Sequence, residues 1–96
     1  MKPNDFLRSN KEAIDRIAKR HGAIRIRVFG SVARGEAREN SDFDFLVAFE
    51  PSRSLFDLVA LKQDLEACLG RKVDVVSEGG VSPYLRNRIF KEAVPL

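Results

Sequence analysis

Residues Asp42 to Phe49, DFDFLVAF, constrain the fold more than any other stretch of the chain. Beyond its first residues the segment is apolar on both faces of a strand, and such a strand belongs inside a sheet, covered by other elements. Ile24 to Phe29, IRIRVF, alternates apolar and basic residues as a half-exposed strand does. That phase turns Ile24, Ile26 and Val28 to the core and sets Arg25 and Arg27 on a solvent or partner face. Lys72 to Val76, KVDVV, reads as a third short strand.

Helical patterns separate these strands. Pro3 to Arg20 places Phe6, Leu7, Ile14, Ile17 and Ala18 near one face, and Gly22 can close the segment in the left-handed conformation. Ser31 to Arg34 reads as a short helix closed by Gly35, followed by a polar loop to Ser41. Ser52 or Ser54 caps an amphipathic helix over Leu55–Leu69, through Leu58, Leu61, Leu65 and Leu69, ended by Gly70. Glu78-Gly79-Gly80 is a turn, and Pro83 opens a last helix carrying Leu85, Ile89 and Ala93, stopped by Pro95. The polar connection between the first two strands is no long crossover, so that pair is expected antiparallel; the helix between the second and third favours a parallel pair. The expected fold is α/β (α+β), a mixed sheet of three strands or slightly more, flanked by helices. At 96 residues the chain is expected to form a single domain, 1–96, burying roughly 60–68% of its unfolded surface.

Charge narrows the partners only a little. Seventeen basic residues against fourteen acidic ones give +3, mixed along the chain, which permits a phosphate-bearing partner without demanding one. No dedicated nucleic-acid site is expected. No apolar run approaches the ~18 residues of a membrane span, and the N-terminal residues lack a signal-peptide core. Cys68 is the only cysteine; it suits a reducing, cytoplasmic setting and reads as a packed residue of the third helix. His21 reads as a helix C-terminal residue complementing the dipole.

The chemistry concentrates at the start of the second strand. Asp42 and Asp44, two positions apart, project from one face with Cα atoms roughly 6.5 Å apart. Carboxylates so placed repel unless a cation sits between them. Hard oxygen ligands of this kind suit Mg²⁺, which takes phosphate oxygens as further ligands. One or two ions ~4 Å apart can clamp both oxygens of an in-line displacement. Asp74 interrupts the apolar third strand, where a buried acid needs a partner; it is either a third member of the cluster or an edge-strand residue pointing at water. Gly30-Ser31 ends the first strand, where glycine admits a phosphate to the backbone and Ser31 offers a hydroxyl. Arg34 is a triphosphate ligand or a solvated charge. Each piece alone has a bland reading as turn, cap or surface charge, and their joint order points to a metal–nucleotide site.

The run GSVARGEARENSDFDFLV resembles the GS-x(10)-DxD signature of the nucleotidyltransferase superfamily typified by DNA polymerase beta. The short length, the SDFD form and the closing PYLRNRIFKEAVPL resemble the minimal nucleotidyltransferases of prokaryotes. The resemblance implies that Gly30 and Ser31 bind the triphosphate of ATP, that Asp42 and Asp44 hold Mg²⁺, and that Asp74 completes an acidic triad. It further implies an antitoxin that transfers AMP to a tyrosine of a partner HEPN-domain ribonuclease toxin. Two alternatives stay open: neutralisation by stoichiometric binding without catalysis, and transfer to RNA or a small molecule. With no second domain to grip an acceptor, the partner is expected to present its own to an open face. The candidate surfaces are the Arg25/Arg27 strand face and the last helix with Arg86, Arg88 and Lys91. Tyr84, the only tyrosine, reads as a helix-start residue rather than a site of self-modification.

Overall fold

In the computed structural model, which describes residues 2–96, strand β2 (Phe43–Phe49) lies inside a four-stranded sheet. The order is β3-β2-β1-β4, with β1 at Ala23–Phe29, β3 at Val73–Ser77 and β4 at Val94–Pro95. Phe43, Phe45, Leu46 and Val47 are completely buried, as the apolar run requires. β1 and β2 pair antiparallel and β2 and β3 parallel. Helices α1 (Pro3–Ser9), α2 (Lys11–Arg20) and α3 (Leu55–Leu69) supply the covering layer. Ile14 and Ala18 of α2 and Leu61, Leu65 and Leu69 of α3 pack with Val28, Phe43, Phe45, Val47 and Val73. Alternation along the strands sets those sheet residues on one face and Arg27, Phe29, Asp44, Leu46 and Asp74 on the other. Helix α4 (Pro83–Glu92) follows a single 3-10 turn at Glu78–Gly80.

Several expectations change. The first helical pattern is two helices, broken at Asn10. Its side chain donates to the Phe6 carbonyl at 2.8 Å and its backbone N–H to Leu7, the local bonding by which asparagine competes with a continuous helix. Ile24 is 68% exposed rather than in the core. A bulge between Ala23 and Arg25 leaves it unpaired and shifts the alternation by one residue. Cys68 is exposed, because α3 buries only the narrow row Leu61, Leu65, Leu69. Ser31 to Gly35 form hydrogen-bonded turns instead of a helix, with Arg34 N–H on the Gly30 carbonyl and Glu36 N–H on that of Ser31. The last helix stops at Glu92, and Val94–Pro95 pair antiparallel with β1 as a fourth strand. Proline is tolerated there because the strand is an edge.

Arg25 and Arg27 do not form a free basic face. Both grip Glu78, at 2.9 and 3.0 Å, and the Arg27 guanidinium lies 5.4 Å from the centre of the Phe90 ring. His21 caps α2 and its Nε2 meets the Asp64 carboxylate on α3 at 2.5 Å. Tyr84 is 96% exposed at the start of α4.

Candidate active site

Strand pairing brings the separated motif residues together. β1 ends with Phe29 opposite Asp44, which places Gly30 beside that carboxylate. Gly30 has φ +75°, and a Cβ built on it would fall onto Asp44 Oδ2. The position therefore needs glycine twice over, for its left-handed backbone and for the space the carboxylate takes. On the other side, parallel register sets Asp44 directly against Asp74. A β-loop-α-β segment reaches from one to the other through α3, whose C-terminal Glu66 accepts the Val73 N–H at 3.1 Å and fixes where β3 begins.

The electrostatics follow from that register. Asp44 is pushed up to about 6, by burial first, then by the charge and hydrogen-bonding reach of Asp74, then by the charge of Asp42; Arg34 pulls the other way. Asp74 is exposed on the edge strand β3, and Asp42 is exposed just before β2 begins. Asp42 bears on Asp44 through its charge alone. Arg71 steadies the approach to Asp42 by donating to the Ser41 carbonyl at 2.5 Å and lying over the Phe43 ring. Among the described residues no three His, Cys, Asp or Glu side chains are gathered into a preformed metal cluster. The Asp44–Asp74 pair with Asp42 nearby is instead a site of unbalanced negative charge, and the room kept by Gly30 leaves its deepest carboxylate accessible. Hard, oxygen-only donors of this kind fit a divalent cation such as Mg²⁺.

Gly30, Ser31, Arg34 and Asp44 line one cleft together with Phe29 and residues of α4: Leu85, Arg88, Ile89 and Glu92. Arg34 reaches across this cleft. Its Nε donates to Glu36 at 2.8 Å and its Nη1 to Glu92 at 3.0 Å, and these two carboxylates hold the guanidinium charged. Glu92 also accepts the Gly30 N–H at 3.3 Å. Sequence reasoning missed Glu92. The only local signal is its i, i+4 spacing from Arg88, an ordinary helix-surface pair.

The model of a nucleotidyltransferase domain matches residues 10–96. A protein of Methanocaldococcus jannaschii named as a protein adenylyltransferase is 48% identical over 84 residues, covering 88% of this chain and 90% of its own. The protein adenylyltransferase MntA of Thermococcus cleftensis is 41% identical, over 81% and 79% of the two chains. Among solved structures, a minimal nucleotidyltransferase superposes with a TM-score of 0.85 at 56% identity, covering 96% of this chain and 94% of the other. A toxin–antitoxin structure with AMP-PNP shares the fold, with a TM-score of 0.77 at 24% identity over 88% and 70%. With sequence likeness and superposition both extending over nearly the whole chain, the protein belongs to the nucleotidyltransferase domain family, as one of its minimal nucleotidyltransferases, and is a transferase.

Proposed function

We propose that this chain, acting as a single domain of residues 1–96 in the cytoplasm, is an ATP-dependent protein adenylyltransferase. It would move AMP to a hydroxyl, tyrosine being the expected acceptor, on a partner HEPN-domain ribonuclease toxin, and so act as its antitoxin. The observation that carries the chemistry is the register setting Asp44 against Asp74 with Gly30 abutting Asp44. The names of the relatives support the protein acceptor. The partner class rests on the family resemblance and on the shared fold of the toxin–antitoxin structure.

In this reading Gly30 N–H, the Ser31 hydroxyl and Arg34 bind and orient the phosphates, an arrangement in which positioning and charge neutralisation supply most of the catalysis. Asp42, Asp44 and Asp74 would hold one or two Mg²⁺ ions, which when bound neutralise phosphate charge and acidify the attacking hydroxyl. The acceptor oxygen attacks the α-phosphorus, the bond from that phosphorus to the β-phosphate oxygen breaks, and pyrophosphate leaves. Asp74, exposed on the edge strand, would take the hydroxyl proton. An edge position suits an acceptor delivered from another molecule, since among the described residues no further strand pairs beyond β3.

Intact-mass spectrometry of a candidate HEPN-domain toxin, after incubation with the protein, ATP and Mg²⁺, tests the proposal. A gain of one or more AMP masses by the toxin is expected. Asp42→Asn and Asp44→Asn should abolish that gain while the circular dichroism spectrum stays native. Full inhibition of an unmodified toxin would instead establish neutralisation by binding alone.

A further inference from the structure

Glu92 lies 62 positions after Gly30, yet its carboxylate occupies the groups a triphosphate would need. Oε2 accepts the Gly30 N–H at 3.3 Å, while Oε1 accepts Arg34 Nη1 at 3.0 Å and meets Arg88 Nε at 3.5 Å. A carboxylate bridging a backbone N–H and a guanidinium has the charge and two-oxygen geometry of a phosphate edge. Its side chain is only 19% exposed. Arg34, with the Gly30 N–H assisting, holds its carboxyl below the usual range, so it is an anion at neutral pH.

The helix that carries it is lightly seated. None of the α4 residues is buried, and Leu85 is half exposed although it lines the cleft. Besides Glu92, α4 is tied down by Arg86 donating to the Glu78 carbonyl, by the Arg27 guanidinium 5.4 Å from the Phe90 ring centre, and at its C-terminal end by the two-residue pairing of β4 with β1. These are surface contacts with little apolar burial behind them, the kind that open locally at low cost.

We propose that Glu92 is an internal competitor for the phosphates of the nucleotide: α4 closes the Gly30–Arg34 anion site in the free protein, and a nucleoside triphosphate binds by displacing it. This inference rests on the nucleotide-binding role proposed above for the same groups. Its consequence is thermodynamic. The apparent affinity for nucleotide is the intrinsic affinity reduced by the fraction of molecules with α4 displaced. A partner that draws α4 away would tighten nucleotide binding without adding a phosphate contact.

Isothermal titration with ATP and Mg²⁺ compares the wild type with Glu92→Gln, Glu92→Ala and, as a control for loss of one negative charge elsewhere, Glu12→Gln. Both Glu92 variants should bind ATP about five- to tenfold tighter and the control less than about twofold, the gain expected on removing a closed state that dominates the free protein. In the wild type, amide hydrogen exchange across residues 83–92 should quicken when ATP is added, a readout independent of any variant's folding. Equal or weaker ATP binding by both Glu92 variants, or unchanged exchange in α4 of the ATP-bound wild type, overturns the inference and leaves the transferase reading standing. Binding of ATP by none of the four proteins overturns both.

Discussion

Gly30 and Asp44 are coupled through a single volume: the carboxylate sits where a side chain at Gly30 would begin. Holding Asp44 there places a half-buried acid beside Asp74, and the raised value of about 6 measures the resulting strain on its charged form. The sign matters for stability. An unfolded aspartate ionises near 4, so between about pH 4 and 6 the folded chain binds a proton that the unfolded chain has lost. Stability from this residue is present at low pH and is lost as pH rises through about 6. Asp44→Asn should therefore gain on the wild type across that window in metal-free buffer. It should end more stable at pH 7 by on the order of 1 kcal/mol once solvent screening of a half-exposed site is allowed for. Thermal denaturation of both proteins in EDTA from pH 4 to 7 checks this. A gap that shrinks with rising pH would contradict it. Mg²⁺ should narrow the gap at pH 7 by stabilising only the wild type, the usual exchange of stability for function at a charged site.

At the scale of elements, the two long C-terminal helices are built to different standards. Helix α3 carries a capping box: Ser54 Oγ accepts the Phe56 N–H at 3.3 Å, and Asp57 accepts the Ser54 N–H at 2.8 Å. That backbone bond, with help from Arg53, holds the Asp57 carboxyl below its usual range. Gly70 closes the helix at φ +64°. Helix α4 has no side-chain cap and no buried residue, consistent with an element that can leave its seat. Ser54→Ala should lower the urea midpoint by the equivalent of ~1 kcal/mol without changing the slope of the transition. An unchanged midpoint would mean that the cap is not limiting for α3.

For the whole molecule, the sheet is covered unequally. One face carries α2 and α3 over the apolar core, while the face bearing Arg27, Phe29, Asp44 and Asp74 is partly covered by α4 and the Glu78–Gly80 turn before it. Stability and chemistry are thus assigned to opposite faces. Leu61, fully buried under the sheet, has no part in the cleft. Leu61→Ala should cost about 2–5 kcal/mol, the range for leucine truncation in a packed core, read as a fall in urea midpoint. Transfer activity per folded molecule should stay near wild type. A loss of activity out of proportion to the folded fraction would mean that the two faces are mechanically linked.

The sequence alone determined what depends on near neighbours. A doubly apolar strand goes inside the sheet, and Asp42 and Asp44 fall two apart at its start. A serine at 52 or 54 and Gly70 delimit a helix because capping is decided within one turn. The antiparallel and parallel pairings followed from what connects the strands. Other features waited on tertiary structure because long-range pairing decides them. The bulge that exposes Ile24 exists only against β2. Val94–Pro95 is a strand only because β1 offers an edge. Cys68 faces water because the sheet accepts one narrow row of α3. Asp74 was legible as an acid in an apolar strand, but its place opposite Asp44 required the register. Glu92 on Gly30 and Arg34 left no trace in local pattern: charge carries no address along the chain, and only folding brings these groups together.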